Sequence, residues 1–163
     1  MRELRRQDRC MPVSEAWKLL EQCKWADVAF NAGPDGFPYC VSISPVVLDG
    51  CVYFHCASEG YKLELLERDD KVCIHAVGRA FVSGSGFSLM YESVVAQGQA
   101  YVIGNEALKR EVLRKTCSKY APQQPPVAVD AYMDRFFSSV TVVGITIVSI
   151  SGKRTIPSKS SDA

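Results

Sequence analysis

What this chain has little of narrows it first. Its charges nearly cancel: 19 Lys+Arg against 18 Asp+Glu leave a formal net charge of +1. That balance makes no electrostatic case for a nucleic-acid or anionic-membrane partner. No apolar run approaches the ~20 residues that a spanning helix needs. The basic opening MRELRRQDRC has no apolar stretch behind it, so it does not read as a secretory signal. The cysteines number seven, an odd count without one C-x-x-C pair, and most fall in apolar runs. Free thiols in a reducing, cytoplasmic setting are expected, with no metal site. SGSGF, residues 83–87, lacks phosphate-loop spacing and joins two apparent strands, so it reads as a hairpin connection. Neither a nicotinamide fingerprint, an internal repeat nor a second domain is visible.

What is there suits a single domain. A 163-residue chain with 47% hydrophobic residues can bury roughly two-thirds of its unfolded surface. Residues 1–12 read as a loose charged arm, 13–154 as the domain and 155–163 as a flexible tail. Ser14 is placed to cap a helix whose apolar side is Trp17, Leu19, Leu20 and Cys23. WADVAFN then reads as a strand, halted by Gly33-Pro34-Asp35-Gly36. KVCIHAVGRAFVSG is a further strand, in which His75 is expected as a satisfied core or cross-strand histidine. From Leu89 to Ile103 the chain alternates, with Glu92, Val94, Ala96, Gly98 and Ala100 on one face. Glu106 to Tyr120 has helical spacing; its basic outer side, Lys109, Arg110, Arg114, Lys115 and Lys119, is a solvated surface or a partner patch. A helix over 127–137 carries Met133, Phe136 and Phe137. SVTVVGITIVSI is the last strand, ended by Gly152-Lys153. About six strands and a few helices argue for an antiparallel barrel or sandwich.

The most informative stretch runs from Tyr39 to Leu66. Asp49-Gly50 between two β-branched runs signals a two-residue hairpin turn. That turn pairs Leu48 with Cys51 and Val46 with Tyr53; continued, it sets Ser44 opposite His55 and Ser42 opposite Ala57. Period-two alternation then gives a core face (Tyr39, Val41, Ile43, Pro45, Val47, Val52, Phe54, Cys56) and a small, polar one (Cys40, Ser42, Ser44, Tyr53, His55, Ala57). The polar face has room for a flat ligand, and a solvated outer face remains the alternative. Pro45 has no N–H to donate, so its strand should be an edge or bulged there. Ser58 can cap a helix starting near Glu59, with Lys62 adding charge at the same end, which suits a phosphate.

YFHCASEGYKLELL resembles the signature of the pyridoxamine-phosphate-oxidase-like flavoproteins, in the branch that contains nitroimidazole-resistance proteins. That branch shows Tyr-Phe-His, a small residue or two, Gly-x-Lys and a leucine-rich helix. SLMYESVVAQGQAYVI resembles the family's later Tyr-x-Ser-Val-x-x-x-Gly strand, and SISGK its Thr-Gly-Lys ending. The resemblance spans about residues 5 to 154 with order and spacing kept. It implies a mainly β fold with peripheral helices, the antiparallel Greek-key split β-barrel, paired as a homodimer with FMN between subunits.

Carried onto this sequence, the resemblance implies that Lys62, Ser58 and the backbone at Cys56 and Ala57 hold the FMN phosphate. The ring would lie along Ser42, Ile43, Ser44 and Val46, with Tyr91, Ser93 and Val94 reaching it from the later strand. Glu92 stands where relatives commonly have arginine. His55 is the candidate catalytic residue, a proton donor or hydrogen-bond partner near neutral pH. The function implied is FMN-dependent reduction of a small molecule such as a nitro-aromatic. The alternatives are an FMN carrier or redox sensor without turnover, and a haem-binding or haem-degrading protein using His55 or His75.

Overall fold

The apolar alternation of the sequence is realised in one antiparallel sheet. A computed structural model describes residues 4–34 and 36–155. Among the described residues the strands are β1 (Cys10–Met11), β2 (Ala26–Phe30), β3 (Tyr39–Ile43), β4 (Val46–Leu48), β5 (Cys51–Ala57), β6 (Lys71–Ser83), β7 (Ser88–Val102) and β8 (Val140–Arg154). The helices are α1 (Val13–Gln22), α2 (Tyr61–Leu66), α3 (Glu106–Tyr120) and α4 (Pro126–Phe136). No helix of the described residues is long and apolar enough to cross a membrane.

The order across the sheet is β3-β2-β6-β7-β8-β5-β4, with β1 paired to β8. β3 and β4 stand at opposite ends of that order, yet only Ser44 and Pro45 separate them in the chain. The sheet must therefore curl round on itself, which makes it the expected split β-barrel. Its interior is filled by Val28, Phe30, Val52, Phe54, Ile74, Val94, Val143 and Ile145. α1 lays Ala16, Leu19 and Leu20 into the same core from one helical face. A second apolar cluster lies outside the barrel, where α3 and α4 cover Val46, Tyr53 and Val142 with Val112, Leu113 and Met133.

The Asp49-Gly50 turn forms with both residues at positive φ (49° and 75°), and β4 pairs with β5 in the expected register: Val46 with Tyr53, Val47 with Val52, Leu48 with Cys51. Beyond Val46 the expectation fails. Ser44 is not opposite His55, nor Ser42 opposite Ala57. β3 pairs with β2 instead, setting Ser42 against Asp27, and His55 faces Val142 of β8. The cause is Pro45, which cannot donate to a ladder. Its carbonyl leaves the sheet and accepts from Lys119 Nζ at 2.7 Å and the Tyr120 hydroxyl at 3.0 Å.

Several local expectations are corrected. Ser14 does not cap α1; the cap position is Pro12, without a side-chain bond. α2 starts at Tyr61, not Glu59, behind Gly60 at φ 129°, and no side chain caps it. Ser58 is thus not a cap. The arm is tied down at its end, because β1 pairs with Lys153 and Gly152. Gly152 does not stop β8, which runs to Arg154. It is small because a Cβ there would lie 2.9 Å from Met11 Cβ and 3.0 Å from Ala16 Cβ. Of the two placements expected for His75, core or cross-strand, the structure has the second: it is exposed on β6 opposite Asp27 of β2. The expected tail after Thr155, Asp35 of the expected turn and the first three residues of the arm lie outside the described residues.

Candidate functional site

The barrel's outer face and the two long helices enclose a cavity of about 540 Å³. Ser44 and His55 form part of its floor. Its walls follow helical spacing: Leu113, Thr116, Cys117 and Tyr120 lie along one stripe of α3, and Val129, Tyr132, Met133 and Phe136 along one stripe of α4. α3 starts cleanly because Asn105 Oδ1 accepts the Leu108 N–H at 3.1 Å. α4 begins with Pro126, whose missing N–H would have no helical partner there. The two helices are registered by Arg110–Asp134 (3.3 Å) and Arg114–Asp130 (3.0 Å). Lys109 and Arg110 also sit over the Phe137 ring at 4.5 and 4.6 Å. The basic side of α3 is thus largely occupied in holding α4 and, through Lys119, the Pro45 bend.

The electrostatics of the cavity floor follow from crowding. Desolvation by the surrounding protein pushes the His55 imidazole below its ordinary pKa although the residue keeps an exposed surface, which favours the neutral ring with one N–H and one lone pair. Burial holds the Tyr120 phenol up at about 12. Its hydroxyl donates to Pro45 O at 3.0 Å, and its oxygen faces the Ser44 hydroxyl. Burial likewise lowers Lys119, whose ammonium is directed at the same carbonyl.

The other expected site residues are distributed as follows. Ser42, Ser44, His55, Ala57 and Ser58 are exposed on or next to the outer face. Ser42 Oγ donates to Asp27 Oδ1 at 2.6 Å. Ile43 and Val46 are buried, and Cys56 packs against the barrel core, so these three offer a ligand only backbone. Burial raises the Cys56 thiol while Lys62 pulls it the other way, which places that ammonium nearby. Lys62 has no carboxylate partner among the described residues. Tyr91 and Ser93 lie on the outward side of β7, whereas the Val94 side chain is fully buried in the core. None of these three lines the cavity. Ser93 is level with Lys153 of β8 and His55 with Val142, a separation of about 36 Å of strand.

Arrangement and sequence pattern both have counterparts. The sequence model of the pyridoxamine 5′-phosphate oxidase family matches residues 12–154. The chain belongs to that family. Among solved structures it is similar to a candidate 5-nitroimidazole antibiotic resistance protein from Bacteroides thetaiotaomicron, at 22% identity and TM-score 0.73, covering 88% of this chain and 85% of that one. It is similar to an FAD-binding protein from Mesorhizobium loti (21%, TM-score 0.65, covering 91% and 98%). A conserved hypothetical protein from Mycobacterium tuberculosis aligns over 99% of this chain and 100% of its own, at 17% identity and TM-score 0.78. No curated protein matches.

For this member of the pyridoxamine 5′-phosphate oxidase family, sequence reasoning missed the helical half of the cavity. Leu113, Cys117, Met133, Phe136 and Phe137 read as ordinary apolar helix faces. The available signal was an excess: α4 carries Tyr132, Phe136 and Phe137 nearby, but only Met133 of the helix is fully covered. Glu92 is bound by Arg79 (2.8 Å) and Arg154 (3.3 Å). It joins β7 to Arg79 of β6 and to the end of β8.

Proposed function

We propose that this protein is an FMN-binding oxidoreductase that reduces a small molecule of the nitro-aromatic kind. The observation that carries the reading is a strip of small exposed side chains on the outer barrel face, including Ser44, His55 and Ala57. The strip leads from the cavity toward Lys62, a half-buried cation with no carboxylate partner among the described residues. A flat ring fits over serine and alanine, and a phosphate suits the unpaired ammonium. The FAD-binding relative named above supports a flavin as the cofactor. When bound, the flavin supplies the electrons. Lys62 would hold the phosphate end, the bent Ser44-Pro45 backbone would border the ring, and His55 would offer a hydrogen bond to the reacting molecule.

The family's homodimer belongs to the same reading. Tyr91 and Ser93 are too far along the sheet from His55 to share one chain's ligand, so they serve it only from a second copy. The purified protein is expected to show a flavin absorption spectrum, retained after FMN is added and the excess removed. Lys62→Ala should lower FMN affinity by about ten-fold or more, the scale of one charge-assisted contact. Reduced protein should be reoxidised faster by a nitro-aromatic than by buffer alone. Preferential retention of FAD would correct the cofactor, and absence of any retained flavin would remove the proposal.

A further inference from the structure

A second hollow, a groove of about 810 Å³, runs between α1 and the bulged part of β6. It shares no residue with the α3–α4 cavity. It lies on the side of β7 that carries Glu92, away from Tyr91 and Ser93. β6 loses its β2 neighbour after His75 and slips register between Val77 and Ala80, so that edge of the sheet has no strand beside it. α1 stands there instead, with Glu15, Lys18, Leu19 and Gln22 along one helical stripe. The floor is apolar and close-packed: a Cβ on Gly78 would come within 3.0 Å of Leu19 Cδ1. Val77 and Trp25 form an apolar rim, and Trp25 is 62% exposed.

The charges of this groove do not balance. Among the described residues it is lined by four cations, Lys18, Lys24, Arg79 and Arg154, against two anions, Glu15 and Glu92. Both carboxylates are already taken: Arg154 reaches Glu15 and Glu92, and Arg79 holds Glu92 at 2.8 Å. Lys18 and Lys24 are exposed and have no carboxylate partner among the described residues. We propose that the groove binds a small aromatic carboxylate, its ring laid on Trp25 and Val77 and its anion received by Lys18 and Lys24. The kind of anion follows from which cations are free. Guanidinium forks suit a phosphate, and both forks here are spent on Glu15 and Glu92. The two flexible ammonium groups supply point charges, which one carboxylate satisfies. The indole face gives a flat ring its stacking partner. Such a ligand bridges α1 to the open edge of β6, so it stabilises the folded chain by mass action. The site owes nothing to the flavin reading, since neither His55 nor Lys62 lines it.

The test uses the full-length protein, with and without FMN, and follows 2-naphthoate by ligand-observed NMR. Saturable binding is expected in both forms, about five-fold or more tighter than that of uncharged 2-naphthamide. Lys18→Gln combined with Lys24→Gln should weaken 2-naphthoate by about five- to ten-fold and leave 2-naphthamide unchanged. Trp25→Ala should weaken both by several-fold. The chain has two tryptophans, so in a Trp17→Phe background Trp25 emission should change saturably with the same midpoint. Lys62→Ala should have no effect, and inorganic phosphate at constant ionic strength should not displace the probe. Melting curves of the variants, whose lysines and Trp25 are exposed, separate lost binding from lost fold. Equal affinity for acid and amide overturns the proposal, as does binding unmoved by the lysine pair or by Trp25→Ala, or absent from the wild type. Displacement by phosphate, or loss of binding in Lys62→Ala, moves the anion elsewhere and overturns it too. Naphthoate binding by a protein that retains no flavin leaves this inference standing and removes the flavin reading.

Discussion

His55 shows how one side chain acquires a property from its surroundings. Crowding against the cavity floor favours the neutral imidazole, so the folded protein binds its proton more weakly than the unfolded chain. The stability that follows is present above the unfolded value, about 6.5, and is lost as pH falls through that value toward the lower folded one. An NMR titration of the His55 ring should therefore give a midpoint below 6.5; a midpoint above it would deny the crowding. Glu92 is shifted for the opposite reason. A hydrogen bond from Arg79 holds its carboxyl below the usual range, and Arg154 adds to that. Its contribution is present above about pH 4.3 and fades as pH drops through the depressed value. Glu92→Gln should lower stability by about 1 kcal/mol at pH 7, since Arg79 is largely in water, and the gap from wild type should close in acid. Equal melting temperatures at pH 7 would show that the pair does nothing for stability.

At the scale of elements, the bend at Ser44-Pro45 and the seam at Gly152 decide the architecture. One apolar, β-branched run from Tyr39 to Leu48 is divided because proline cannot continue a ladder, and its halves join opposite ends of the sheet. α3 then holds the bend from outside through Lys119 and Tyr120. At the seam, β1 and α1 both press on Gly152. Gly152→Ala should cost about 1–3 kcal/mol through overpacking. Hydrogen exchange should show the loss first in the β1 amides; an unchanged protection pattern would mean that the seam has slack. The same elements explain what could be read beforehand. α3 was legible end to end, since Asn105 marks its start and its apolar stripe repeats with helical period. The division of the Tyr39–Leu48 run was legible only in part: Pro45 announced an interruption but not the partner that each half would find.

The whole molecule adds what no element carries. Within one chain His55 and Lys62 lie on one part of the barrel and Tyr91 and Ser93 on another, so the proposed flavin site calls for a second copy to complete it. Lys62→Ala and Tyr91→Ala homodimers should each hold FMN poorly. Mixing and re-forming dimers from the two should restore tight binding in the mixed species, where one site has both residues intact. No recovery, with dimers verified by light scattering, would place the whole site within one chain. The sequence by itself determined the local facts: the alternation of each strand, the positive-φ turn at Asp49-Gly50, the length of α3, and the family signature around His55 and Lys62. Those depend on neighbours in the chain and on the periods of helix and strand. Only the tertiary structure decided which strands pair across Pro45, that Gly152 is small to admit α1 and β1, and that α3 and α4 roof a cavity over His55. Such contacts join residues far apart in the chain, and side-chain volume and hydrogen-bond supply select them only once the sheet has curled.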